Sequence, residues 1–307
     1  MNDNEKLLID YVCDGDIRKA QKQARIVLEN LNTKKDENYK AQRLRRLDAK
    51  SSSIIELPYN LKELLIAEDV SHFPNERFLL RDREADIVNH ILASFKASGK
   101  LAEMGIPFLP ALLLHGESGC GKTMLARYIA HKADLPFVYV RFSSLVSSYL
   151  GSTQSNIAKV FDYARNSPCV LCFDEIDAVG MARGQKNDVG EMNRIVIALM
   201  QEMDSIPNNV IVIGTTNRYD RLDPALVRRF LNQFEIKPLN LDDATQLSRK
   251  FFDYTGTDSS AWIENWSSER FSTGAPASTV VTACTNYVVS KILEEERRKA
   301  YSNSESN

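Results

Sequence analysis

The segment Gly116-Glu117-Ser118-Gly119-Cys120-Gly121-Lys122-Thr123 stands between the apolar run Ala111-Leu112-Leu113-Leu114 and an amphipathic stretch from Met124 to Lys132. A strand that enters a glycine-rich loop and leaves it as a helix is a building unit of α/β folds, so this segment restricts the architecture more than any other. Glycines at 116, 119 and 121 let the backbone wrap a polyphosphate, and the helix aims its positive end at the same anion. The nucleotide contact is expected from Gly116, Glu117, Ser118, Gly119, Cys120, Gly121, Lys122, Thr123 and Met124. Lys122 would reach the β- and γ-phosphates of ATP, and the Thr123 hydroxyl would ligate Mg²⁺.

A second run, Val170-Leu171-Cys172-Phe173-Asp174-Glu175, reads as a buried strand ending in two carboxylates. Such a pair after a phosphate loop divides into two roles. Asp174 would hold the magnesium shell, and Glu175 would polarise the water that attacks the γ-phosphate.

Further apolar runs at Phe137–Val140, Val210–Gly214 and Phe234–Ile236 bring the strands to five, separated by helical segments. That alternation predicts a parallel α/β sheet with its ligand at the carboxyl ends of the strands. After Pro238 the strands stop, and helical patterns over Asp242–Phe252 and Ala277–Arg298 predict a small C-terminal helical lid. Before the sheet, Ile17, Ala20, Ala24, Val27 and Leu31 recur at helical spacing, with Asp16 as cap. Leu44 and Leu47 suggest another helix, so an N-terminal helical bundle is expected. Arg43, Arg45 and Arg46 fit a solvated helix face. The resulting division is 1–50 helical, 51–75 linker (Ser51-Ser52-Ser53, Pro58, Pro74), 76–238 the large α/β domain and 239–307 the lid.

The net charge of −2 argues against a broad nucleic-acid surface. No apolar stretch approaches ~20 residues, and Asn2-Asp3-Asn4-Glu5-Lys6 is no signal-peptide core, so a cytoplasmic protein without a membrane span is expected. The five cysteines do not form a disulfide pattern. Cys169 and Cys172 read as small core residues rather than metal ligands, because strand positions three apart face opposite sides.

Ile211-Val212-Ile213-Gly214-Thr215-Thr216-Asn217-Arg218, followed by Leu222-Asp223-Pro224-Ala225-Leu226-Val227-Arg228-Arg229-Phe230, resembles the second region of homology of AAA ATPases. With the two nucleotide motifs, the resemblance covers roughly residues 78 to 285. It implies that Asn217 senses the γ-phosphate and that Arg228 and Arg229 reach a neighbouring subunit's nucleotide in a homo-oligomer, expected to be a hexamer. The adjacent arginines look like the katanin and spastin branch and leave open which is the stronger finger. Ser147-Ser148-Tyr149-Leu150-Gly151 is similar to the central-pore loop of AAA unfoldases, which makes Tyr149 and Leu150 the residues that would grip a protein substrate. Ser272-Thr273-Gly274-Ala275 looks like the lid corner that meets the base and ribose, which assigns Gly274 and Ala275 to the nucleotide. Ser148-Tyr149-Leu150-Gly151, Phe173-Asp174-Glu175-Ile176-Asp177-Ala178-Val179-Gly180 and Arg228-Arg229-Phe230 are most similar to short bacterial AAA ATPases often encoded beside a subtilisin-like serine protease, which implies a separately encoded protease partner. The function expected is ATP hydrolysis coupled to remodelling, unfolding or threading of a protein. The alternative is a nucleotide-dependent switch or loader acting on DNA or on a partner complex.

Overall fold

The computed structural model describes residues 3–13, 17–30, 40, 54–55, 57–145, 152–180, 189–207, 209–258, 262 and 274–305. The chain divides into two compact units, Met1–Ile55 and Glu56–Asn307.

In the first unit, α1 (Asp3–Cys13) packs against α2 (Ile17–Glu29). The buried Gln23 amide joins them, donating to the Asn4 carbonyl at 3.2 Å and to Asn4 Oδ1 at 3.1 Å. Helix α2 starts at Ile17, as the spacing predicts. The cap at Asp16, the leucines at 44 and 47 and the arginines at 43, 45 and 46 lie outside the described residues.

Among its described residues the second unit carries six strands: β1 (Leu65–Glu68), β2 (Ala111–His115), β3 (Phe137–Val140), β4 (Val170–Phe173), β5 (Ile211–Thr216) and β6 (Asn232–Glu235). Their order across the sheet is β1-β3-β4-β5-β2-β6. Strands β3, β4, β5, β2 and β6 pair in parallel, with Phe137 opposite Val170, Val170 opposite Ile211, Ala111 opposite Val212 and Leu112 opposite Asn232. The central strands β4 and β5 are buried at every position. This is why they read as continuous apolar runs: a parallel sheet has both faces covered by its crossover helices. From β2 the chain jumps past β5 and β4 to build β3, which leaves a crevice at the carboxyl end of β2.

The helices of this unit are α3 (Asp82–Glu103), α4 (Lys122–Ala133), α5 (Phe142–Leu145), α6 (Ser152–Asn166), α7 (Asp177–Gly180), α8 (Val189–Asp204), α9 (Pro224–Val227), α10 (Leu241–Thr255) and α11 (Ala277–Glu305). Their ends follow local chemistry. Asp223 accepts from the Ala225 N–H at 2.7 Å with Pro224 in the first turn of α9, and Asn240 accepts from the Asp243 N–H at 2.8 Å to start α10. Gly256, at φ +65°, ends α10 in the left-handed conformation that glycine adopts without a Cβ penalty.

Two apolar clusters stand out among the described residues of this unit. One joins Ile87, Ile91, Leu112, Leu125, Ile129 and Ile213 between the sheet and helices α3 and α4. The other lies between α10 and α11, where Phe252 meets the Trp262 ring at 4.9 Å and the Tyr287 ring at 5.6 Å. The passage from β6 to α10 is fastened by Arg81, whose guanidinium donates to the Lys237 carbonyl at 3.0 Å and the Pro238 carbonyl at 3.2 Å while pairing with the buried carboxylate of Glu84.

The expected linker over 51–75 is corrected. Leu57, Leu61, Leu64, Leu65, Ala67, Val70 and Phe73 are all buried, and β1 pairs antiparallel with β3, Leu65 opposite Val140 and Glu68 opposite Phe137. Pro58 and Pro74 are not linker residues but sit immediately before short 3₁₀ turns, where a missing N–H costs nothing. The last strand also begins earlier than read, at Asn232, because an edge strand alternates half-buried and exposed residues and shows no apolar run.

Candidate active site

Strand β2 delivers the chain to Gly116 at φ +139°, Gly119 at φ +79° and Gly121 at φ +98°. Two of these positions also lack room for a side chain. A Cβ on Gly116 would lie 2.3 Å from the Ile236 carbonyl oxygen, and one on Gly119 would lie 2.1 Å from Ser278 Oγ. The loop is thus folded between β6 and the first turn of α11, and the Ser278 N–H donates to the Gly119 carbonyl at 3.0 Å.

Lys122 is buried, and its ammonium is fully engaged: Nζ donates to the carbonyls of Gly116 at 2.9 Å and Glu117 at 2.8 Å and to Asn217 Oδ1 at 2.6 Å. An ammonium has three donors, and here all three point to partners that a phosphate oxygen could replace. Burial holds Lys122 below the usual lysine range, opposed by nearby acidic groups that include Asp174, Asp177 and Glu175. Burial pushes the neighbouring Cys120 thiol up, with Lys122 pulling it the other way.

At the end of β4, Asp174 accepts from Thr123 Oγ1 at 3.1 Å through both carboxylate oxygens. It also accepts from the hydroxyl of Thr215, and the Thr215 hydroxyl in turn accepts from the Glu175 N–H at 3.2 Å. Glu175 is exposed at φ +54°, a conformation uncommon for a residue with a Cβ, which turns its side chain off the strand path at the mouth of the site. Behind it the buried pair Thr216–Asp177 closes at 2.6 Å.

These residues floor a cleft of about 590 Å³. Its lining includes the polar groups of Ser118 to Thr123, Asp174, Glu175 and Asn217, the apolar side chains of Phe78, Leu79, Ile236, Leu239, Phe251 and Val281, and the charged side chains of Arg77, Arg81 and Glu84. A nucleotide suits that lining, with phosphates over the loop and the base against apolar side chains. The donor set also suits magnesium. Among the described residues no cluster of three His, Cys, Asp or Glu side chains could cage a metal, and Mg²⁺ instead takes one or two protein oxygens together with substrate phosphates. Thr123 and Asp174 provide such a pair.

The remaining expected residues are distributed as follows. Met124 is exposed in the first turn of α4. Gly274 lies at φ +90°, and Ala275 after it forms a bridge with Leu239, each N–H donating to the other's carbonyl at 2.8 and 2.9 Å. The lid residues that line the cleft are Leu239, Leu247, Phe251, Ala277, Ser278 and Val281, and Gly274 and Ala275 are not among them. Arg228 is exposed and makes no ion pair among the described residues, whereas Arg229 is held by Asp204 at 3.1 Å. Phe230, fully buried, occupies the space that the missing side chain of Gly214 leaves on β5. Tyr149 and Leu150 lie outside the described residues. Cys169 and Cys172 are buried in the core, where burial raises the Cys169 thiol to about 12 and Cys172 well above its ordinary value. Thr215 and Ser278 were not singled out from sequence. Thr215 stood inside a recognised stretch, but its bond to Asp174 exists only because β4 and β5 are neighbours.

Comparison with known proteins agrees with this geometry. The family described as "ATPase family associated with various cellular activities (AAA)" matches residues 112–238. An AAA family ATPase of Sinorhizobium fredii is 32% identical over 236 residues, covering 74% of this chain and 70% of that protein. The chain belongs to the AAA family of ATPases. The matched region is its ATP-hydrolysing, nucleotide-binding domain. The peroxisomal ATPase pex6 of Schizosaccharomyces pombe is 44% identical over 135 residues, covering 42% of this chain and 14% of that protein. The proteasome-activating nucleotidase of Methanosphaerula palustris is 36% identical over 192 residues, covering 59% of this chain and 47% of that protein. The chain therefore spans less than half of these two relatives. Among the described residues, no helix is long and apolar enough to cross a membrane.

Proposed function

We propose that this protein is an oligomeric AAA ATPase, a hexamer in its working form, that couples ATP hydrolysis to remodelling or threading of a protein substrate in the cytoplasm. The observation that carries the reading is the convergence of Lys122, Thr123, Asp174, Glu175 and Asn217 on one cleft, with an exposed arginine on the separate turn at 228.

The chemistry follows from those positions. Lys122 exchanges its loop carbonyls for phosphate oxygens, while Asn217 stays within reach of the same ammonium. Thr123 and Asp174 would hold Mg²⁺, which would supply positive charge against the phosphates. Glu175 accepts a proton from water as the water oxygen bonds to the γ-phosphorus; the bond to the β–γ bridging oxygen breaks, and ADP and phosphate leave. Arg228 and Arg229 supply positive charge to a neighbour's site as the phosphoryl group departs. The Arg229–Asp204 pair is half-exposed, and such pairs contribute at most about 1 kcal/mol, so Arg229 can leave it for a phosphate at little cost.

The protein substrate is supported by a relative that is named for activating a proteasome, and by the sequence Ser148-Tyr149-Leu150-Gly151, which resembles a pore loop of AAA unfoldases. A separately encoded protease is the partner this reading implies. The test is the solution mass of Glu175→Gln with and without ATP and magnesium, followed by Tyr149→Ala in an assay of protein unfolding. A nucleotide-dependent ring, and a Tyr149→Ala protein that hydrolyses ATP without processing, are the expected results. A persistent monomer whose wild-type form is stimulated by DNA would replace the reading with that of a loader.

A further inference from the structure

Arg228 and Arg229 sit at the end of α9, where the Leu226 and Val227 carbonyls accept from the Arg229 and Phe230 N–H groups at 3.0 and 3.1 Å. A side chain from the neighbouring strand reinforces this turn. Gln233, on the exposed side of edge strand β6, donates from Nε2 to the carbonyls of Val227 and Phe230, both at 3.1 Å, so that a single amide clamps the turn on either side of the two arginines. The Gln233 Oε1 accepts from the Tyr219 hydroxyl at 2.7 Å. The three contacts fix the orientation of the amide, because the opposite one would set its oxygen against two carbonyls. Tyr219 begins the turn two residues after Asn217, and its ring lies against His115 with centroids 4.4 Å apart. His115 is the last residue of β2, next to Gly116 of the phosphate loop.

We propose that Tyr219 and Gln233 are positioning residues for the arginine pair, tying the turn at 228–229 to the strand that enters the same subunit's phosphate loop. Both ends of the Asn217–Tyr219 segment are then anchored: Asn217 on the Lys122 ammonium, Tyr219 between His115 and Gln233. A phosphate that engages Lys122 and Asn217 together would thereby bear on the segment that holds Gln233, and through it on the turn offered to the neighbour. The proposal rests on the reading of Arg228 and Arg229 as acting in trans.

Tyr219→Phe keeps the ring on His115 and removes only the hydroxyl, and Gln233→Leu removes the clamp. The experiment measures kcat for ATP hydrolysis and the Kd of a fluorescent ATP analogue for both, alone and combined with Arg228→Ala/Arg229→Ala. Loss of one neutral hydrogen bond corresponds to about threefold to tenfold in rate, so Tyr219→Phe is expected to lower kcat by that factor with Kd unchanged, and Gln233→Leu at least as much. In the arginine-free background the same substitutions should add less than about twofold, because the groups they position are gone. A full multiplicative loss in that background, or a Kd that weakens along with kcat, would show a general structural role and overturn the proposal. It also falls if the arginine substitutions lower kcat while Tyr219→Phe and Gln233→Leu do not. If instead the arginine substitutions leave kcat intact, the trans-acting reading itself fails, a distinct result that takes the positioning role with it.

Discussion

At the residue scale, the site depends on close approach as much as on charge. Gly119 is the sharpest case, since its φ of +79° disfavours any L side chain and a Cβ there would meet Ser278 Oγ at 2.1 Å. Gly119→Ala therefore has two costs, a left-handed backbone penalty of about 1–2 kcal/mol and a clash that pushes α11 off the loop. Calorimetric titration with an ATP analogue should show affinity falling at least about tenfold. Adding Ser278→Gly removes the clash but not the backbone penalty, so recovery should be partial. Complete recovery would mean that the φ at 119 relaxes freely, and no recovery would mean that the lid contact is unimportant. Lys122→Ala is a cleaner loss. It deletes the donor that joins the loop to Asn217, and nucleotide affinity unchanged in the same titration would remove Lys122 from the site.

At the scale of elements, Gly214 and Phe230 show how the sheet sets the position of the arginines. A Cβ at Gly214 would stand 2.9 Å from Phe230 Cζ and 3.1 Å from Leu113 Cδ1, with nothing exposed to yield. Overpacking of that kind costs about 1–3 kcal/mol, so Gly214→Ala should lower the denaturant midpoint accordingly and Phe230→Leu in the same chain should restore part of the loss. Additive losses in the double variant would show that the two positions do not share that space. The pairing of Gly214 with Phe230 was hidden in the sequence for the same reason as the bonds of Thr215 and Ser278: each joins segments that only the folded sheet brings together. The strands buried on both faces were legible because burial demands apolar residues at every position. Strand β1 was not, since a strand of four residues with alternating burial, bounded by prolines, carries the local signals of a linker. The phosphate loop and Asp174-Glu175 were legible because their chemistry resides in consecutive residues, whereas Tyr219 and Gln233 look like ordinary surface residues until their partners are known.

At the scale of the whole molecule, the two compact units have separate sources of stability. The α/β unit from Glu56 onward holds the apolar clusters around the sheet and between α10 and α11, and it contains every residue that lines the nucleotide cleft. The first unit contributes a helix pair whose described interior is limited to Ala20 and Gln23, with Leu7, Ile9 and Val12 exposed along α1. A pair of helices with so little buried surface adds little free energy of its own. Deleting residues 1–50 should therefore leave nucleotide affinity within about twofold and the main thermal transition nearly unmoved, because neither the cleft nor the large clusters lose a side chain. ATP titration and calorimetry of the shortened chain test this together. An intact transition with preserved affinity would assign the helix pair a role outside the hydrolytic cycle, such as recruiting the protein substrate, and substrate processing by the shortened chain would then be the next quantity to measure. A large fall in the transition would show instead that the first unit supports the sheet, and that the two units fold as one.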